Sequence, residues 1–256
     1  MVSARSRSRV KRRKTIRDIG EIVLGVLIAL ALGAVASEIG WEVEVWRAEQ
    51  ALANELGEAV GQGLQRGRAD GCIEGKLAAI GAILDKAEAE GRFPQVGDLG
   101  RPLLRTWSTD VWDSTRNADI ASKMDRETLD NLSGVYRFIA EIDQSTFRES
   151  EAWVELFAIV GPGRPADAAE LRALRGSLAR ARAAHRSVVG SGVWLDALVR
   201  RLDLPLNPDA VEQYRDVSIT EYCAPIAPWR GERYGEAPFR GSAERARRMS
   251  GSEIVS

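Results

Sequence analysis

The sequence predicts an all-α fold: one N-terminal transmembrane helix continuous with a long helix, packed into an extracytoplasmic helical bundle of about three to five helices. Three observations predict it. Residues 22–37 carry no charge inside the apolar segment Ile19–Gly40. Beyond that segment the helical pattern continues with no proline before Pro94. Two further stripes, Leu129–Phe157 and Leu171–Leu202, place apolar side chains three and four residues apart, and the breaker GPGRPAD, Gly161–Asp167, separates them.

The apolar segment comes first. Its twenty-two positions, 19–40, span about 33 Å as a helix, which matches a hydrocarbon layer of about 30 Å. Ahead of it, residues 1–18 form a basic flank carrying Arg5, Arg7, Arg9, Lys11, Arg12, Arg13, Lys14 and Arg17, with no acid before Asp18. The positive-inside bias keeps this flank in the cytoplasm and exports everything after Gly40, with Trp41 and Trp46 marking the outer interface. A cleavable signal peptide stays open as an alternative, since Ala34-Val35-Ala36 before Ser37 reads as an A-x-A site. Within the segment Gly25, Ala29, Gly33 and Ser37 recur every four residues on one helix side. Small residues at that spacing let two helix backbones approach closely in lipid, so a homo-oligomer through this face is expected. The simpler account is that Gly and Ala are frequent in membrane helices.

Charge and cysteine usage bound the partners. The formal net charge of −1 hides an asymmetry: past residue 17 there are 28 basic against 37 acidic side chains, a net charge of −9. Such an acidic exported portion argues against nucleic acid as a partner, and the basic flank is read as contacting the lipid bilayer. Cys72 and Cys223 fall on the exported side, where an even pair is expected to bridge; two buried free thiols are the alternative.

The bundle itself is placed at residues 41–203. Leu52, Leu56, Val60 and Leu64 form a four-residue ridge, and Ile73, Leu77, Ile80 and Leu84 form a second stripe. Six glycines between Gly57 and Gly75 lower helix propensity by roughly 1 kcal/mol each, so a break is expected near Gly67–Gly71. Asp125 is the expected N-cap of a helix whose apolar face includes Leu132, Val135, Tyr136, Ile139, Ile142 and Phe147. The helix after Asp167 carries Leu171, Leu174, Leu178, His185 and Val188, with Gly190-Ser191-Gly192 as a weak point. Arg172, Arg175, Arg180, Arg182 and Arg186 along it are read as a solvated face paired with acids on neighbouring helices. Five of the nine prolines follow Leu204, so residues 204–239 are expected to be ordered but irregular, and residues 240–256 to be a disordered tail.

Chemistry is sparse. His185 is the only histidine, and no nucleophile elbow, zinc motif or phosphate loop accompanies it, so no catalytic, metal or cofactor site is assigned. One cluster concentrates aromatic and acidic side chains: Trp107, Asp110, Trp112 and Asp113. Paired carboxylates beside tryptophans are what glycosidase-type hydrolysis uses, and the cluster is a candidate ligand site. Two core tryptophans with capping acids give the same pattern.

The run Ile19-Gly20-Glu21-Ile22-Val23-Leu24, followed by Gly25-Val26-Leu27-Ile28-Ala29-Leu30, resembles the span of a broad group of uncharacterised bacterial single-pass membrane proteins. These open on a basic flank, pass through a Gly-Glu-Ile-led helix and continue past a Trp into a helical domain. Trp112 ahead of Tyr136 is similar to their Trp-led segment before a Tyr-bearing helix. Here Ala34–Gly40 replaces the polar Asn/Asp-Trp exit of the group. The resemblance implies anchoring and a helical ectodomain and supplies no activity; the expected location is the bacterial inner membrane. The functional expectation is a non-enzymatic envelope scaffold, sensor or interaction protein with an unknown protein partner. The alternatives are a secreted soluble helical binding protein released after Ala36 and a carboxylate-dependent hydrolase around Asp110 and Asp113.

Overall fold

The structure is a computed structural model that describes residues 4–100, 102–215 and 217–231, the first nineteen of them by backbone alone. The expected tail at 240–256 and the end of the proline-rich segment, 232–239, lie outside the described residues. The protein is mostly helical. Its elements in order are α1 (Ala4–Glu90), β1 (Arg92–Phe93), α2 (Asp110–Asn117), α3 (Arg126–Leu156), β2 (Arg164–Pro165), α4 (Ala168–Arg201) and α5 (Pro208–Arg215). β1 and β2 form one short antiparallel pair. Turns of 3-10 helix at Asp119–Lys123 and Phe157–Ile159 join the helices.

α1 is a single helix of 87 residues, and the break expected near Gly67–Gly71 does not occur. The reason is packing on both sides of the glycines. Residues 52–60 are pinned in one apolar core and residues 69–87 in another, and that burial outweighs the local propensity cost. The first core gathers Leu52, Leu56, Val60, Trp107, Trp112, Tyr136, Ile139, Val188 and Leu195, with Trp112 stacked on Tyr136 at 5.1 Å between ring centroids. The second gathers Ile73, Leu77, Ile80, Leu84, Phe93, Leu99, Trp153, Leu156, Leu171 and Leu178. α3 and α4 run through both.

Three glycines explain how closely the helices approach α1. A Cβ on Gly63 would sit 2.9 Å from the Cα of Gly192, so α1 and α4 cross backbone to backbone there. Gly192, read as a weak point of α4, is therefore a contact point in a continuous helix. Gly57 and Gly61 receive α5: added Cβ atoms would meet the Asn207 carbonyl at 2.6 Å and the Val211 carbonyl at 2.8 Å.

α5 corrects the expectation of an irregular 204–239. Pro208 occupies the first helical position, where its missing N–H costs nothing, and Asn207 Oδ1 accepts from the Asp209 amide at 3.0 Å. From there the chain is tied back along α1. Arg68 donates to the Tyr214 carbonyl at 2.6 Å, Lys76 Nζ to the Tyr222 carbonyl at 2.8 Å, and Asp98 pairs with Ala227. Burial pushes the Lys76 ammonium below its usual range, with Asp98 opposing.

Two stripe residues are also corrected. Leu64 and Phe147 are 42 % and 62 % exposed. A ridge of four-residue steps turns by about 40° per step, so Leu64 lies about 120° round α1 from Leu52. Phe147, eight residues past Ile139, is displaced by about 80° in the same way. Of the five arginines read as paired with acids, Arg175 pairs with Asp85 at 2.9 Å and with Glu88, and Arg180 with Glu155, whereas Arg182 donates to the Leu77 carbonyl at 3.1 Å and Arg186 to the Arg182 carbonyl at 3.4 Å.

Caps close the helices as read. Asp125 accepts from the Thr128 amide at 2.9 Å, and Asp167 from the Ala169 and Glu170 amides. The Thr128 amide, then its hydroxyl, hold the Asp125 carboxyl below the ordinary carboxylate range. A folded-state value below the unfolded one means the cap stabilises above about pH 4 and loses that contribution as pH falls through the folded value. Asp125→Ala is expected to lower Tm at neutral pH, and the gap between the two thermal melts is expected to close progressively as pH is taken below about 4. A second pair of variants tests the crossing. Gly63→Leu is expected to cost about 1–3 kcal/mol in urea denaturation by overpacking. Gly67→Ala, where a Cβ meets nothing within 4 Å, is expected to be neutral or stabilising by up to about 1 kcal/mol.

Candidate functional site

Between the two apolar cores lies a layer of buried polar side chains, and heptad spacing puts it there. On α1 the positions 59, 66, 73, 80 and 87 recur every seven residues as Ala59, Arg66, Ile73, Ile80 and Ala87, all buried. On α3 the same spacing gives Val135, Ile142, Glu149 and Leu156, and on α4 Leu171, Leu178, His185, Gly192 and Val199. Each helix thus presents one ionisable side chain at an otherwise small or apolar interior position. The three meet.

Arg66 is 2 % exposed, and Glu149 and His185 are each 0 % exposed. The Arg66 guanidinium donates through Nη1 to the Leu103 carbonyl and through Nη2 to Glu149 Oε2. The same Nη2 lies 3.0 Å from His185 Nδ1. His185 Nε2 lies 2.8 Å from Oδ1 of Asp70, one turn on from Arg66 and half exposed, so the layer meets solvent at that carboxylate. Glu149 Oε1 is 3.8 Å from His185 Nδ1 and has no hydrogen-bond partner. Neighbouring polar ties fix the chain that follows Leu103. Arg105 Nε donates to Gln65 Oε1 at 3.0 Å, the Trp107 amide to Asp143 Oδ1 at 3.2 Å, and Trp107 Nε1 to Thr146 Oγ1 at 3.0 Å.

The cluster singled out from sequence divides. Trp107 and Trp112 go into the core at 4 % and 5 % exposure. Asp110 is exposed in the first turn of α2, and Asp113 accepts from Thr109 Oγ1 at 3.1 Å and from Arg116 at 3.3 Å. What organises this region is Glu55, a residue the sequence reading passed over. Its buried carboxylate accepts from Ser108 Oγ at 2.9 Å and from the Val111 and Trp112 amides at 3.0 and 3.2 Å, capping α2 from a neighbouring helix. Burial, then the Glu55 charge, push the nearby Tyr136 hydroxyl above its ordinary range. Among the described residues, grooves open on the outer seam of α3 and α4 beside Phe138, Ser187 and Leu198, away from the Trp–Asp cluster.

The remaining expected positions are also placed. Cys72 and Cys223 are joined in a disulfide, with Cα atoms 4.9 Å apart, that closes a 151-residue separation. In the chain-entropy account a loop of this length contributes on the order of 4–5 kcal/mol through the unfolded state. Gly25, Ala29, Gly33 and Ser37 lie on an exposed stretch of α1, where a Cβ on either glycine would meet nothing within 4 Å. The stretch has a mean hydropathy of 2.1 and none of it is buried, so α1 is long and apolar enough to cross a membrane. No group of three or more His, Cys, Asp or Glu poised to hold a metal is found among the described residues. No family model, curated protein or solved structure matches the chain.

His185 is fully buried, so the layer offers no surface at which a substrate could reach the ring. Its energetics are those of a buried ion pair. Removing one partner strands the other, so Arg66→Met is expected to cost about 3–5 kcal/mol in chemical denaturation. Replacing Arg66, Glu149 and His185 together by Met, Met and Leu is expected to recover most of that loss. A triple variant no more stable than Arg66→Met would show that the layer's worth lies outside the ion pair.

Proposed function

We propose that this chain is a single-pass, membrane-anchored scaffold or interaction protein of a bacterial envelope, without catalytic activity, in which the helices after Gly40 form an extracytoplasmic bundle. The observation that carries the reading is α1. One uninterrupted helix passes from the basic flank through an apolar stretch, exposed on every side from Val23 to Ile39, into the packed domain. Exposed apolar area of that length is an aggregation liability in water and is satisfied when lipid covers it. The cationic flank supports a cytoplasmic N-terminus in the inner membrane. A disulfide between Cys72 and Cys223 fits an oxidising compartment on the far side. The open face of Gly25, Ala29, Gly33 and Ser37 is proposed to pair two copies. The resemblance to bacterial single-pass proteins points the same way.

The division of the Trp–Asp cluster favours this reading over carboxylate hydrolysis, because its tryptophans are core while Asp110 is exposed in the first turn of α2 and Asp113 is tied to Thr109 and Arg116. Asp110→Asn with Asp113→Asn is accordingly expected to leave folding and partner capture intact. The deciding experiment is alkaline carbonate extraction of expressing cells followed by mass measurement with and without reductant. Full-length protein retained in the membrane, with a mass gain on reduction, is the expected result. A soluble product beginning at Ser37 would instead establish the secreted alternative.

A further inference from the structure

We propose that His185 is a proton-binding site whose occupancy controls the hold of Arg66 on the Leu103 carbonyl, and with it the attachment of residues 103–107 to α1. The argument starts from hydrogen-bond inventory. A guanidinium only donates, so His185 Nδ1, 3.0 Å from Arg66 Nη2, accepts and carries no proton. The ring proton is therefore on Nε2, donated to Asp70 Oδ1 at 2.8 Å. The buried ring is neutral and held in one tautomer by two different helix positions of α1.

A second proton, taken from bulk water, has only Nδ1 to bind. There the new N–H points at an N–H of Arg66, donor against donor and cation against cation. Glu149 Oε1, 3.8 Å away and without a hydrogen-bond partner, is the acceptor that relieves the conflict. The charged groups facing the ring are Arg66 and Asp70 of α1 and Glu149 of α3. With the ring neutral they carry one net negative charge, and protonation brings the group to zero. Charge balance and a waiting acceptor thus both favour a rearranged, protonated state.

Rearrangement reaches the backbone through one rigid group. Nη1 and Nη2 belong to the same guanidinium plane, so moving Nη2 off the imidazole turns Nη1 away from the Leu103 carbonyl. Residues 103–107 keep their ties through Arg105, the Trp107 amide and the Trp107 indole, so the segment loosens without detaching.

Because His185 is the only histidine, isotopically labelled histidine gives a single imidazole in NMR spectra of the full-length protein in detergent micelles. The Nε2-protonated tautomer is expected at about pH 8, with uptake of a second proton on going to about pH 5. Over the same interval, hydrogen-exchange protection of Leu104–Trp107, corrected for intrinsic rates, is expected to fall about tenfold or more, the range for one lost bond from a charged donor. Protection of Leu132–Ile142 is expected to hold, and the fall is expected to vanish in His185→Gln. An Nδ1-protonated ring, a ring that stays neutral throughout, loss of protection across the whole domain, or the same fall in His185→Gln would each overturn the proposal. If His185→Gln does not fold, the tautomer and the joint titration in the native chain decide the matter.

Discussion

A guanidinium buried at 2 % exposure has to be compensated where it sits, and the compensation of Arg66 fixes where α3, α4 and the chain at Leu103 must be. A carboxylate from α3, an imidazole from α4 and a backbone carbonyl converge on one side chain of α1. Sliding α3 or α4 by one heptad would bring Glu149 or His185 level with Ile73 or Ala59 and leave Arg66 unpaired. Apolar heptads alone permit such a slip, because every seven-residue register buries similar surface. The layer therefore excludes the alternative registers that an all-apolar interface would permit.

Backbone contact does the complementary task. At Gly63 and Gly192 the absence of side chains brings α1 and α4 together, and at Gly57 and Gly61 it admits α5. Charge sets the level at which the helices meet, and missing Cβ atoms set how close they come. The disulfide between Cys72 and Cys223 and the Lys76–Tyr222 tie then hold the returning chain against α1.

Much of this was legible in the sequence because it depends on periodicity. Helices α3 and α4, their caps at Asp125 and Asp167, the inward tryptophans and the apolar stretch of α1 follow from spacing and local hydrogen-bonding chemistry. Leu64 and Phe147 aside, where the drift of a helical stripe was at fault, the misreadings share one cause, which is that the partner of a residue is not local. Glycines in α1 read as breaks because propensity is a property of one helix, whereas close approach is a property of two. α5 was missed because its helix is held by Gly57 and Gly61, about 150 residues earlier. Arg66, Glu149 and Glu55 were not singled out, although a count by sevens along α1 and α3 would have flagged the first two. Nothing in the order of residues says that Glu55 caps α2.

Along α1, Ile39 is the last residue of the exposed apolar stretch, and Trp41 and Val45 already touch the rest of the protein, with Lys123 Nζ 5.7 Å from the Trp41 ring centroid. No joint intervenes. From Gly40 to Glu90 the helix is a rod of about 75 Å, so a tilt of about 10° at its base carries its tip sideways by about 13 Å. α3 and α4, clamped to the rod at the charged layer, must swing with it. The molecule is in this respect a lever, in which a small rotation at the apolar end becomes a displacement at the far end larger than the diameter of a helix.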